Sequence, residues 1–135
     1  MQQTNIRHGD FELALEGRVL VAKLKGSWNA EAALAFEASF KQAAQPLCEG
    51  SWGHLVYLDD WDLGVPEMMP IVERLVGWCI DNGLKRSAQV YCQSMLKKYQ
   101  LDLMVIDRLG DFERRVFDDC DAAKDWLRSE GYAFD

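Results

Sequence analysis

The chain has 135 residues, of which 49% are hydrophobic and 27% charged, a composition typical of one globular domain with its own core. Its net charge of −7 disfavours nucleic acid and anionic membrane surfaces as partners, because both bind concentrated basic groups. No stretch approaches the roughly 20 apolar residues of a membrane-spanning helix, so we expect no membrane insertion.

The ends and the cysteines favour a single cytoplasmic domain over 1–135. Residues 1–9 are polar and lack the apolar run of a signal peptide, which predicts a polar leader. Cys48, Cys79, Cys92 and Cys120 are widely spaced and form no C-x-x-C pair. Cytoplasmic thiols usually stay reduced and pack as small apolar groups. We therefore expect structural cysteines, and neither a metal nor another cofactor.

Periodicity and turn residues predict nine elements in the order β-β-α-β-α-β-α-β-α. In chain order they cover residues 11–15, 19–24, 30–45, 54–58, 66–81, 87–92, 95–109, 112–117 and 121–131. Asn29 is a favourable N-cap for the first helix and Pro46 ends it. Residues 59–64 predict a loop, and Asp121 is the expected cap of the last helix.

Strands that alternate with helices form a largely parallel sheet with helical cover. The opening hairpin adds an antiparallel part, so the sheet should be mixed. The run 54–58 is continuously apolar, as expected for a central strand buried on both faces. In the predicted third helix, Leu96, Tyr99, Leu103 and Ile106 share one side.

In this order the chain resembles the SpoIIAA-like proteins, which are relatives of the STAS domains (sulfate transporter and anti-sigma factor antagonist). The resemblance covers about 10–132 and rests on four features. They are the hairpin end Gly26–Asn29 before a helix, the strand Leu55–Asp59, the strand Ala88–Tyr91, and a strand ending at Phe117 before an acidic turn and an Ala-x-x-Trp-Leu helix. The resemblance implies an α/β SpoIIAA-like (STAS-type) fold, similar to that of the lipid-binding SEC14 (CRAL-TRIO) domains.

One departure from that family concerns phosphorylation. Anti-sigma factor antagonists carry a phosphorylatable Ser or Thr just after the strand that corresponds to Leu55–Asp59. Here the segment 59–64 contains no hydroxyl group. The phosphoswitch of those proteins, which works by adding negative charge near a partner surface, is therefore not implied for this loop.

The acidic loop is the first candidate binding site. Asp59, Asp60 and Asp62 surround Trp61 beyond the carboxyl end of a predicted parallel strand, where ligands gather in open α/β sheets. Three carboxylates could hold a hard divalent cation or face a partner. The alternative is that these acids are solvated and favour the dipole of the following helix.

Aromatic residues and one hydroxyl complete the candidates. Trp28, Trp52 and Trp61 lie at predicted loop positions beside strands. There they could anchor a partner or line an apolar pocket, or close over the end of the core. Ser94 begins the predicted third helix, as an N-cap or as a phosphorylation site.

The sequence carries no G-x-S-x-G, H-E-x-x-H or Gly-rich phosphate motif. A triad could still assemble in three dimensions around His54, but no nucleophile has a spacing that marks it. We therefore expect a non-catalytic domain that binds a protein partner or forms a dimer. The alternative is a small carrier or sensor for an apolar, lipid-like molecule. The pair Met68 and Met69 would suit such a ligand, because methionine side chains adapt to varied apolar shapes.

Overall fold

The computed structural model describes residues 9–92 and 95–134. The predictions for Ser94 and for the leader up to His8 lie outside the described residues. The strands are β1 (Asp10–Glu16), β2 (Val19–Trp28), β3 (Trp52–Tyr57), β4 (Trp61–Gly64), β5 (Leu84–Val90), β6 (Arg108–Leu109) and β7 (Phe112–Phe117). The helices are α1 (Ala30–Ala44), α2 (Met69–Asp81), α3 (Met95–Met104) and α4 (Cys120–Ser129).

The sheet has the strand order β1-β2-β3-β5-β7-β6, and β4 pairs with the end of β2. The pairs β2–β3, β3–β5 and β5–β7 are parallel, whereas the edge strands β1 and β6 run antiparallel to their neighbours. The predicted α/β class, with a mixed sheet and an opening hairpin, is confirmed.

The segment predicted as a loop over 59–64 instead contains β4. Strand β2 continues past its predicted end and exposes backbone groups, which the following chain satisfies. Gly26 donates from its backbone N–H to the carbonyl of Asp60 at 2.9 Å, and Val65 donates to the carbonyl of Trp28 at 2.9 Å. Buried backbone groups must be paired, and here the pairing extends the sheet.

Helix α3 is shorter than predicted, because it ends at Met104 rather than at 109. The backbone N–H of Arg114 in β7 donates to the carbonyl of Asp107 at 2.8 Å, which draws the chain to the edge of the sheet and into β6. The last helix also begins earlier than predicted: Asp119, not Asp121, is its N-cap and accepts a hydrogen bond from the backbone N–H of Asp121.

The two faces of the sheet carry separate cores. Helices α1, α2 and α3 cover one face, where Phe36 and Phe40 pack edge-on and tilted among Trp28 and Trp52. Helix α4 covers the other face, mainly through Leu127. The functional candidates described below all lie on the face of the three helices.

Arg114 connects the sheet to α3 through a buried guanidinium, of which only 2% of the side chain is exposed. It donates to Asp102 Oδ1 at 2.5 Å, to Asp107 Oδ1 at 2.6 Å and to Gln89 Oε1 at 2.8 Å. The pKa of Asp102 is lowered, first by its hydrogen bond from Lys98 and then by that from Arg114. Charge-assisted hydrogen bonds of this kind are the stronger ones. Arg114 therefore holds both Asp102, in α3, and Asp107, after the helix, against the sheet.

Replacing Arg114 by Ala should lower the free energy of unfolding by about 2–3 kcal/mol, since it removes several charged hydrogen bonds from a buried group. The neighbouring Arg115 is 52% exposed and pairs with Glu113, so Arg115→Ala should cost less than about 1 kcal/mol. Urea denaturation of both variants measures the difference. Equal losses would contradict the role assigned to Arg114.

Candidate functional site

The acidic loop contributes one carboxylate to the structure of the sheet. Asp59 Oδ1 accepts a hydrogen bond from the backbone N–H of Cys92 at 2.7 Å, which links the ends of β3 and β5. Lys97 Nζ donates to the carbonyls of Leu58 at 2.8 Å and Asp59 at 3.0 Å. Asp59 therefore holds the ends of β3 and β5 together and helps to position α3.

The other two aspartates of the loop, Asp60 and Asp62, are exposed. Within 9–92 and 95–134, no group of three or more His, Cys, Asp or Glu side chains is placed to hold a metal ion. What the loop offers is negative charge on the surface beside Leu63 and Gly64.

The three tryptophans are buried rather than exposed: Trp28, Trp52 and Trp61 each have 2% or less of their surface accessible. Trp28 Nε1 donates to the carbonyl of Lys25 at 3.0 Å, and Trp52 Nε1 donates to the carbonyl of Asn82 at 2.9 Å. The indole N–H of Trp61 is buried without a partner among the described residues. In this conformation the rings close over the core, and none offers a surface anchor for another protein.

An apolar cavity of about 90 Å³ lies between the sheet and helices α1–α3. Its walls are almost entirely hydrocarbon, including Trp28, Trp61, Phe40, Val76, Leu101 and Met104. An empty apolar cavity of this size costs about 2 kcal/mol of stability at the measured cost per unit of volume. Trp28 and Trp61 thus line an apolar pocket from within the fold.

Three polar side chains of the sheet also line the cavity: His54 from β3, and Ser87 and Gln89 from β5. His54 lies directly opposite Ser87 in the parallel register, and Leu20 lies opposite His54 on the other side. The three polar residues therefore form a small polar area at the centre of the sheet. No sequence spacing indicates this area, because it depends on strand register.

The protonation state of His54 follows from its contacts. His54 Nδ1 lies 2.8 Å from the carbonyl oxygen of Leu20, and a carbonyl can only accept, so Nδ1 carries the hydrogen. Burial lowers the pKa of His54 to about 4, although the bond to Leu20 acts in the opposite direction. The ring is thus neutral at pH 7, and its Nε2 is a hydrogen-bond acceptor.

The cysteine nearest this area has no enhanced reactivity. Cys79 lines the cavity, and burial raises the pKa of its thiol well above the ordinary value. The thiolate is the reactive form of cysteine, so Cys79 stays protonated at neutral pH. This agrees with the predicted packing role for Cys79, whereas Cys92 is exposed.

The outer side of α3 is an uncovered apolar surface. Leu96, Tyr99 and Leu103 on the helix, and Ile106 just after it, are 68%, 67%, 51% and 47% exposed. We call these four residues the α3 face. Together with Leu63 of β4, residues of the α3 face border a shallow groove.

Polar contacts fix the position of the groove's lining, and one lining residue has a strained backbone. Gln100 of α3 accepts from the backbone N–H of Gly64 at 3.0 Å and donates to its carbonyl at 2.7 Å. Leu63 has a φ of +84°, a left-handed conformation that costs a residue with a side chain about 1–2 kcal/mol. Strained residues cluster at functional surfaces, and this one contributes to the wall of the groove.

His54 should make the protein less stable as the pH falls from 6.5 towards 4. In that range the unfolded chain binds a proton on this imidazole and the folded chain does not, so the loss reaches about 3 kcal/mol at pH 4. His54→Phe should flatten this part of the profile of unfolding free energy against pH. Carboxylates such as Glu37, whose pKa is lowered by Arg74, add a loss at lower pH in both proteins. An unchanged slope above pH 4.5 in the variant would contradict the lowered pKa of His54.

Comparison with known proteins identifies the fold. No protein-family model matches the chain, and a search of curated proteins gives no match either. An uncharacterised DUF3478-family protein with a SpoIIAA-like fold from Shewanella loihica PV-4 superposes with a TM-score of 0.65 at 17% identity, over 94% of this chain and 99% of that one. The anti-sigma factor antagonist SpoIIAA in its unphosphorylated form superposes with a TM-score of 0.53 at 14% identity, over 90% and 99%. The chain therefore has the SpoIIAA-like, STAS-type fold.

Proposed function

We propose that this chain is a non-catalytic interaction domain that binds a protein partner through the α3 face. The observation that carries the proposal is that α3 is apolar on two sides and covered on only one. Leu101 and Met104 pack into the core, whereas the α3 face is exposed. A helix that is apolar on both sides is typical of a buried helix, so a second protein surface would complete its burial.

The spacing of the α3 face suits a helical partner. Its residues recur at intervals of three and four along the chain, which is the pattern by which one helix packs along another. The strained Leu63 and the groove beside it give the surface a defined shape.

The charges around the groove favour a different chain over a second copy. Asp62 adjoins Leu63, Glu67 follows in the next turn of chain, and both are exposed; the whole chain has a net charge of −7. Two copies would repel each other, whereas a partner with basic residues beside its apolar ones would be attracted. The segment 59–64 has no hydroxyl group, so the proposal includes no phosphoswitch there.

Leu103→Glu should abolish partner binding, because it places a charge in the middle of the α3 face. The matched control is Leu34→Glu, since Leu34 is an exposed leucine of α1 with 48% accessibility and lies outside the groove. Affinity capture from the native cells, followed by a binding titration with the captured chain, should show a loss of at least tenfold for Leu103→Glu only.

Sedimentation of the purified protein decides between the two kinds of partner. A dimer that Leu103→Glu converts to a monomer would make the partner a second copy. A monomer that captures no other chain, or one whose partner binding is unchanged in Leu103→Glu, would contradict the interaction proposal.

A second candidate function is that of a carrier or sensor for a small apolar molecule, and the cavity of about 90 Å³ favours it. Filling such a cavity adds contacts that the empty state lacks. Binding would then stabilise the folded chain by an amount that grows with the logarithm of the ligand concentration above the Kd.

Native mass spectrometry of protein purified gently from its own cells should show a bound mass in addition to the chain. Val76→Phe places a ring in the cavity, since Val76 lines it, and should remove that mass while the variant stays folded. If the same mass persists in Val76→Phe, the molecule is bound elsewhere and the carrier proposal loses its support.

A further inference from the structure

We infer that the cavity selects one compact, neutral molecule that carries a hydroxyl group, such as a phenol or a small cyclic alcohol, and not a lipid chain. The inference rests on the second candidate function above and names the ligand class for that same cavity. It depends on three properties of the cavity: its volume, its polar groups and its lack of charge.

The volume limits the ligand to a small body. A cavity of about 90 Å³ equals the share of liquid volume of about three water molecules, and an apolar cavity of about 150 Å³ is known to hold benzene. The present cavity is the smaller of the two, so a short branched chain fits as it stands and a single ring fits only if the wall adjusts. Met68 and Met104 form part of the wall and can adapt to such a body because their side chains are flexible. A chain of a dozen methylene groups needs several times this volume.

The polar groups specify the hydroxyl. Nδ1 of His54 is occupied by the carbonyl of Leu20, and within the described part of the chain nothing donates a hydrogen bond to Nε2. The ring lines the cavity and keeps some accessible surface. A ligand that donates a hydrogen bond to Nε2 would satisfy this acceptor.

Ser87 adds a donor next to that acceptor. It lies directly opposite His54 in the register of β3 and β5, lines the cavity and is 4% exposed. Gln89 is less available, since its Oε1 already accepts from Arg114. A hydroxyl group both donates and accepts, so it can bond to His54 Nε2 and Ser87 Oγ at once, whereas a carbonyl or an ether can only accept.

The lack of charge excludes ionic ligands. None of the residues that line the cavity within the described ranges is Asp, Glu, Lys or Arg. His54 is neutral at pH 7, as argued above. A carboxylate or an ammonium group would therefore be buried without a counter-charge, which costs several kcal/mol.

The test compares phenol, toluene and 1-dodecanol by isothermal titration calorimetry at pH 7. Phenol and toluene have similar shapes and differ in the hydroxyl group, so the wild type should bind phenol at least tenfold more tightly, because toluene makes neither hydrogen bond. In His54→Phe the preference for phenol should fall, because only Ser87 is left to bond to the hydroxyl group. In Val76→Phe both should be lost, and in Leu34→Glu, on the outside of α1, both should be unchanged.

A spectroscopic measurement covers the case in which a variant fails to fold. In the wild type, phenol should shift the ¹⁵N resonance of His54 Nε2 in the direction of hydrogen-bond acceptance, and toluene should not. Equal affinities for phenol and toluene in the wild type, without that shift, would overturn the hydroxyl assignment. Tight binding of dodecanol without phenol would overturn the inference and leave the carrier function standing. Binding of none of the three probes would overturn both.

Discussion

Helix α3 is held in place by hydrogen bonds to other elements as well as by apolar packing, and it is the element that both proposed sites share. Lys97 bonds to the end of β3, Gln100 bonds to β4, and Asp102 bonds to Arg114 of β7. Because these contacts position the helix from its flanks, its outer side does not need to be buried for the fold to form. Its inner side lines the cavity through Leu101 and Met104.

The cavity and its polar area lower the stability of the fold, and the packing of the core does not require either of them. An apolar side chain in place of His54 would avoid burying an imidazole, and a slightly larger residue at 76 would fill the void. Trp61, which also lines the cavity, buries its indole N–H without a partner among the described residues. Such a group costs about 1–3 kcal/mol. Costs that are concentrated at one place in a fold are typical of a binding site.

The sequence predicted what depends on local periodicity and missed what depends on register. The strand over 11–15, the cap at Asn29 and the strand 112–117 follow from local patterns, and the structure has them, although Leu15 is exposed rather than half-buried. Strand β4 could not be predicted, because its pairing partner is the extension of β2 more than thirty residues earlier. The end of α3 is likewise set by Arg114, which follows it in the chain.

The same distinction applies to the candidate sites. The acidic loop was predictable because its carboxylates are adjacent in sequence, yet Asp59 bonds to Cys92 and the aromatic ring beside it turns inward. The pairing of His54 with Ser87 joins residues from separate strands, and neither has a neighbour that marks it. The pattern of the α3 face was visible as one side of a helix, but only the packing of Leu101 and Met104 shows that this side faces outward.

The two proposed sites lie on opposite sides of one helix, which makes them experimentally separable. Tyr99 and Leu103 have no part in lining the cavity, and Leu101 and Met104 have no part in the groove. Leu103→Glu therefore changes the outer surface and leaves the residues of the cavity wall unchanged. Val76→Phe changes the cavity wall and leaves the outer surface unchanged. If a ligand in the cavity nevertheless changed the affinity for a partner, the effect would have to pass through the position of α3, since the helix is the element that both sites share. The hydrogen bonds of Lys97, Gln100 and Arg114 would then determine how far the helix can move, because they are the contacts that any displacement must break.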